Sequence, residues 1–522
     1  MKVIVCYLFV FFFCFGTLFG SSYLFVDAQI VPKWLAAVFF VCLFGVISAV
    51  SYLNKPFKYS FAEYKVKGCI WIIVISSSLQ ALYGLLQYVK YLPSPTSFRI
   101  SGSFDNPAGF AACLCAAFPL FIFLFENANK VIKPFIILLG GITVISVILS
   151  ESRTGIVSLV AICGILLLER TRLRYRVKLL LLLGILSISV CALYFFKKDS
   201  ADGRLLIWQC SWNMIADKPL TGYGSGGFEA HYMDYQAAFF QHYPTSDYAL
   251  LADSVQHPFN EYLRILVDYG LIGLLGLFAF LSFLIFCYCK KRNGYGEAAL
   301  QCLVSIAPFS MFSYPSVYPF VWFIFTFSSC ILIFNAGIIH WRVPILFLKC
   351  LSVLFVVIYL YVGVRLAKRM EAELEWKRIS SLSLCGQTEK MLPRYRILEK
   401  ELDEDRYFLY NYSAELHEVK RYSESLSVLR DCRRLWADYD VEMLIAKNYQ
   451  ELKRYSEAEF HYRLASQMCP NRFMPLYQIV LILEKMQRVE EATIIAKVIV
   501  NKRVKVPSLI VNRIKDEMRK RK

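Results

Sequence analysis

Long apolar runs broken by short polar stretches dominate the first two thirds of the chain. A helix crossing a bilayer needs about 20 mostly apolar residues. Runs of that kind stand near 3–20, 34–53, 69–89, 107–125, 131–150, 154–168, 179–196, 269–289, 298–313, 318–338 and 343–363. Eleven membrane-spanning helices are expected. The segments 154–168 and 298–313 are the shortest, and Pro308 lies inside the second. Residues 3–20 follow Lys2 but lead to no clear small-residue cleavage site, so they are read as a span rather than a leader. Two stretches lack such runs: the loop 197–268 and the tail from residue 364 to 522.

Composition agrees with this pattern. The 522 residues are 57% hydrophobic and 19% charged, with 42 Phe and 33 Tyr, and mean hydropathy is +0.47. A soluble domain would hold about a quarter charged residues. The net charge of +18 raises the question of which membrane face the cations occupy. With the N-terminus inside, sixteen Lys and Arg fall in inner loops: Lys2, Lys55, Lys58, Lys65, Lys67, Lys130, Lys133, Arg170, Arg172, Arg174, Arg176, Lys178, Lys290, Lys291, Arg292 and Arg342. Only Lys33, Lys90, Arg99 and Arg153 fall in short outer loops. The asymmetry sets an N-in orientation, places loop 197–268 and the tail outside, and leaves little reason to invoke nucleic acid. Of the 17 cysteines, most sit in apolar runs as small hydrophobes, and no zinc-ligand spacing occurs.

The tail repeats itself. Lys420-Arg-Tyr-Ser-Glu424 recurs as Lys453-Arg-Tyr-Ser-Glu457, with a fainter copy at Gln487–Ala492. The best copy carries Tyr449, Ala458, Tyr462, Ala465 and Pro470. A period near 34 with this pattern resembles tetratricopeptide repeats; a generic helical-hairpin array predicts nearly the same shape. Asp438-Tyr-Asp440 has the form of a metal-binding DxD, but inside the repeats it reads as a helix end.

Chemistry is concentrated near the outer ends of the spans. Arg153, in Ser152-Arg-Thr-Gly155, sits between two spans, where an arginine faces a polar cavity or partner, or snorkels. From Leu205, apolar residues 205, 208, 212 and 215 predict an amphipathic surface helix capped by Asp202, with Arg204 in its first turn. Gly222, Gly224, Gly226 and Gly227 follow: either a close backbone approach to a ligand or a flexible loop. His257 stands just before a span, and imidazole is the natural general base there. Asn106-Pro107 is a turn signal ahead of another span.

In this order, Gly102–Pro107, Ser152–Thr154, Gly203–Gly224 and His257–Gly273 resemble the signature segments of the O-antigen ligase/polymerase superfamily, over roughly residues 60–340. Where that pattern has His before Asn, this chain has Phe259. The resemblance implies an all-α fold: a GT-C-like polytopic bundle spanning residues 1–363, followed by a repeat solenoid over 364–522. It implies a multi-pass protein of the bacterial inner membrane with a periplasmic tail, and a metal-independent, inverting glycan transfer without cofactor. The donor would be a glycan on undecaprenyl diphosphate and the acceptor a glycolipid, a growing glycan or a protein. O-antigen ligase is the leading reading, with polymerase and protein O-oligosaccharyltransferase as alternatives.

In that frame Arg153, Arg204 and Arg264 hold the diphosphate. His257 is the base, with Glu261 as the alternative, and Asn106, Gly222, Gly224 and Asn260 shape the substrate loops. The tail carries no candidate site and is expected to be separable from the chemistry, serving as a surface for a protein partner. A lipid-linked-sugar transporter would need polar residues in mid-span, and few are present. A membrane-anchored scaffold would have no use for Arg153, Arg204 and His257. Reporter fusions after Arg292 and after Lys420 should read inside and outside respectively; an inside signal at Lys420 would overturn the orientation.

Overall fold

The structure, a computed structural model, describes residues 2–54, 63–169, 171–196, 198–338 and 344–521. Lys55, Lys58, Arg170 and Arg342, used above for orientation, lie outside the described residues. Each of the eleven apolar runs lies on a helix. These are α1 (Lys2–Phe19), α2 (Val31–Asn54), α3 (Glu63–Tyr88), α4 (Pro107–Glu126), α5 (Lys133–Leu149), α6 (Arg153–Glu169) and α7 (Tyr175–Phe196), then, after two polar helices, α10 to α13. The polar pair is α8 (Lys198–Asp217) and α9 (Gly227–His242). The later apolar helices are α10 (Glu261–Lys290), α11 (Gly294–Phe312), α12 (Pro319–Asn335) and α13 (Ile345–Leu382). Among the described residues the regular structure is helical, and five helical stretches are long and apolar enough to cross a membrane. Helix α11 passes Pro308 without ending.

The chain forms two compact units. Unit 1 holds Met1–Phe195, Phe259–Glu261 and Gly276–Leu374; unit 2 holds Phe196–Pro258, Tyr262–Leu275 and Glu375–Lys522. Helix α13 runs through residue 363, where the sequence reading places its domain boundary. The polar residues beyond that point keep the helix going, with Arg369 and Glu373 paired at i,i+4.

Unit 1 is built around α4, whose residues from Gly109 to Leu124 are almost all buried. A helix apolar on every side must be surrounded, and α3, α5, α6, α11 and α12 pack on it. Asn106 caps α4 by accepting from the Gly109 N–H (2.8 Å), and Pro107 fills the first turn, where no N–H is needed.

In unit 2, hairpins of α15 (Arg406–Glu418) with α16 (Tyr422–Leu435), α17 (Tyr439–Glu451) with α18 (Tyr455–Met468), and α19 (Met474–Lys485) with α20 (Val489–Asn501) follow α14 (Thr388–Leu402). The last helix is α21 (Leu509–Arg519). The recurring sequence has one structural meaning. Lys420, Lys453 and Gln487 each adopt a left-handed backbone (φ 63, 59 and 59) at the hairpin turn. Arg421, Arg454 and Arg488 then pair with Glu424, Glu457 and Glu491 in the next helix. Behind them the buried stripes Ser425/Leu429/Cys432, Ala458/Tyr462/Ala465 and Ala492/Ala496/Ile499 keep a spacing of 0, 4 and 7, one face of a helix. Asp438 accepts from the Asp440 N–H (2.8 Å) and caps α17, a helix end as its position in the repeat implies.

The tail is not a free appendage of unit 2. Helix α9 packs on α16 and α18. Arg433 joins Asp234 and the buried Glu442, Gln236 donates to the Met468 carbonyl (2.6 Å), Asn471 to the Ala252 carbonyl (2.6 Å), and Arg472 pairs with Asp253 (2.7 Å). Removing the tail, expected above to be separable from the chemistry, would leave these side chains without their partners.

A left-handed residue with a Cβ is strained by about 1 kcal/mol, only partly offset by glycine's extra backbone entropy. Lys453→Gly should therefore raise the thermal midpoint of the full protein slightly, whereas Ala458→Leu, at a fully buried position, should lower it by several degrees in the same melt.

Candidate active site

Helix α10 is two helices meeting at Gly270, whose backbone (φ 62, ψ −162) is open to glycine alone. Such a break exposes backbone donors and acceptors that must find partners. The segment after α8 supplies them. Tyr223 and Gly224 donate their N–H groups to the carbonyls of Val267 (2.9 Å) and Asp268 (2.8 Å). Leu271 and Ile272 donate to Pro219 (2.8 Å) and Leu220 (3.2 Å). A Cβ on Gly270 would lie 2.3 Å from the Leu220 carbonyl, and one on Gly222 2.5 Å from that of Asp268. Gly222 is thus required by the seating of its loop on the broken helix. Gly224 and Gly226 are also left-handed (φ 89 and 77), but their Cβ positions are open.

The same junction holds a buried charge cluster. Asp268 accepts from the Phe228 N–H (3.1 Å) at the start of α9. Arg264, one turn before it, pairs with Asp268 (3.6 Å) and with Glu229 (3.2 Å). Glu229 and Asp268 are nearly inaccessible. Its guanidinium is therefore shared between two carboxylates.

Helix α8 begins at Lys198, so Asp202 and Arg204 lie inside it rather than at its start. Its buried face is Leu206, Ile207, Cys210, Ser211, Met214 and Ile215, while Leu205 and Trp212 are exposed. The expected stripe of 205, 208, 212 and 215 is corrected: α8 buries a neighbouring stripe against α9. Trp208 instead spends its indole N–H on the Pro258 carbonyl (3.0 Å). Arg204 stands one helical turn from Trp208 on the same face, and Pro258 follows His257. The Trp208–Pro258 bond ties the helix that carries Arg204 to the segment that carries His257.

His257 is largely buried, and burial, followed by the charges of Arg264 and Arg406, pulls its imidazole down to about 3. Arg406 comes from the tail, where it lies over the rings of Tyr407 and Trp436. Tyr407 donates to Gln256 Oε1 (2.6 Å), next to His257. The tail thus supplies part of the electrostatic surroundings of His257, which the sequence offered no means of seeing.

The remaining candidates belong to unit 1. Arg153 opens α6, whose first turn is capped by Ser152 Oγ accepting from the Gly155 N–H (3.3 Å). An arginine beside helix-start N–H groups favours an anion. Gly155 lets α6 approach α4, since a Cβ there would lie 3.0 Å from that of Ala111. Glu261 Oε1 accepts from Ser316 Oγ (2.6 Å) and N–H (3.1 Å). Asn260, half-buried, precedes α10. Phe259, at the position of the resemblance's histidine, is left-handed (φ 52). Asn106 donates to Asp105 (2.7 Å), Tyr314 (2.8 Å) and Tyr318 (2.9 Å). Asp105, Tyr314 and Tyr318 went unnoticed in the sequence, although the Tyr-Pro pairs at 314–315 and 318–319 mark an unusual turn. Among the described residues no group of three or more His, Cys, Asp or Glu is arranged to hold a metal ion.

No curated protein matches this chain. A family model described as O-Antigen ligase matches residues 135–278. That stretch contains Arg153, Arg204, Gly222, Gly224, His257, Asn260, Glu261 and Arg264, whereas Asn106 lies before it. The match, together with apolar helices long enough to cross a bilayer, supports a multi-pass membrane glycan transferase of the O-antigen ligase/polymerase type.

Proposed function

We propose that this protein transfers a glycan from undecaprenyl diphosphate to an acceptor hydroxyl at the periplasmic face of the bacterial inner membrane, as an O-antigen ligase does. The observation that carries this reading is the O-Antigen ligase match over residues 135–278, which contains Arg153, Arg204 and His257; the Trp208–Pro258 bond, which ties α8 to the segment of His257, supports it. The eleven apolar helices serve as spans with the N-terminus inside, and the tail is a tetratricopeptide-like solenoid on the periplasmic side.

The acceptor oxygen attacks the anomeric carbon and the lipid diphosphate leaves, so negative charge grows on the diphosphate. Arg204, in the same unit as His257, offsets that charge with a planar fork matched to phosphate oxygens; the resemblance gives Arg153 the same role. Arg264 contributes least, because two carboxylates already share it. His257 takes the acceptor proton. With its imidazole held near 3, His257 is neutral at physiological pH and a weak base. Burial is the larger cause of that shift and the charges of Arg264 and Arg406 the lesser; a bound diphosphate would oppose only the second. Direct displacement inverts the anomeric centre.

Purified protein given a lipid-linked glycan and an acceptor tests the reading. Arg204→Lys and Arg153→Lys should each slow transfer, and the alanine variants more so, with expression unchanged. His257→Ala should cost about a hundredfold or more in turnover, the ordinary scale for loss of a general base. Near wild-type turnover in that variant would move the base to Glu261.

The folded-state shift of His257 is downward from 6.5. The unfolded chain then takes up a proton near 6.5 that the folded chain refuses until about pH 3, so this group's contribution to stability is present above 6.5 and is lost as pH falls toward 3. Between pH 5 and 8, kcat/KM of the free enzyme should show no inflection that His257→Ala removes.

A further inference from the structure

In unit 1, side chains from two separate segments, 105–109 and 314–318, converge on Asn106, and Phe259 of a third meets Tyr314. The Asn106 side-chain carbonyl is occupied by the Gly109 N–H, so its amide donors have a fixed direction. Its two N–H groups are within reach of three acceptors, Asp105 Oδ2, Tyr314 Oη and Tyr318 Oη. Tyr318, fully buried, donates to Asp105 Oδ1 (3.0 Å). A carboxylate offers about four acceptor sites; these contacts use two. The Asp105 loop is itself anchored from below. Lys33, with no exposed surface, donates to the carbonyls of Ser103 (2.8 Å) and Gly20 (2.7 Å) and lies 4.7 Å from the centre of the Phe104 ring. Burying a lysine is costly, so a position held this firmly is unlike an ordinary loop tip.

The aromatic rings beside it form a row. Tyr314 and Tyr318 stack (6.3 Å, 26°), and Phe259 meets Tyr314 edge-on (5.5 Å, 64°). Phe259 holds a left-handed backbone (φ 52), strain of a kind that gathers at ligand-binding positions. Asp105, Asn106, Tyr314 and Phe259 are all partly open to solvent. Aromatic faces beside a preset carboxylate and amide suit a molecule with one apolar face and a rim of hydroxyls.

We infer that Asp105, Asn106, Tyr314 and Phe259 form a binding subsite for a pyranose ring, the sugar that carries the accepting hydroxyl. This deepens the transfer reading above and rests on it for the word acceptor. Asp105 would take two neighbouring hydroxyl protons, and the Phe259 and Tyr314 rings would cover the C–H face. The acceptor is then a carbohydrate rather than a serine or threonine of a protein.

The test uses the full-length protein in a detergent without a sugar headgroup, probed by saturation-transfer NMR with the methyl glycosides of glucose, galactose and N-acetylglucosamine. The wild type should saturate at least one glycoside. Asp105→Asn, which keeps the shape, and Tyr314→Phe should each reduce the signal fivefold or more with the melting point held. In transfer assays the same variants should raise the acceptor KM about tenfold and leave the donor KM alone. Absence of any glycoside signal in the wild type, an unchanged signal in both variants, or saturation of a Ser/Thr peptide instead would overturn the subsite. Glycoside binding lost in the variants, from a protein that transfers nothing from lipid-linked glycans, would uphold the subsite and refute the transferase reading.

Discussion

The backbone break at Gly270 is the constraint on which unit 2 depends. A helix opened at one residue leaves carbonyls and N–H groups that cannot be abandoned away from water. Residues 219–224 answer this with four backbone hydrogen bonds, and each later feature follows from that seating. The loop must carry glycine where it meets Asp268; α9 must start where Asp268 can cap it; and Arg264, one turn before the break, is drawn into the Glu229–Asp268 cluster. The glycines of the segment thus serve the fold first, and any ligand they admit comes second.

Electrostatics divides the candidate residues into two kinds. Arg264 is balanced within the protein by two acidic partners. His257 is the reverse case: burial and two arginines act on it together, so the unliganded state holds it away from its useful proton affinity. In the transfer proposed above, an anionic donor would oppose the two arginines, though not the burial.

Much of the helical plan was legible because lipid leaves few choices. An apolar run of sufficient length satisfies its backbone only as a helix, and the eleven runs all became helices. The tail was legible for a different reason: Lys420, Lys453 and Gln487 repeat a turn, and the turn repeats a fold. What escaped were relations between distant segments. The sequence reading begins the span at 269 and leaves residues up to 268 in the preceding loop, so it shows neither the helix starting at Glu261 nor its break at Gly270. The stripe on α8 was misjudged because Trp208 looks apolar in a sequence while its N–H is committed to Pro258. Asp105 was passed over beside a turn signal that explained its neighbourhood adequately. Arg406 could not be connected to His257 at all, since 149 positions separate them in the chain.

The docking of the tail on α9 also sets a clock. Gln236 must wait for Met468, 232 residues later, and Arg433, Asn471 and Arg472 arrive equally late. At a synthesis rate of about 5–20 residues per second, that is a delay of roughly 10 to 50 seconds. During it the loop has been made but its partners have not. Every newly made chain therefore passes through a period with the segment from α8 to α9 unfinished, and completes it only when its last third has been delivered.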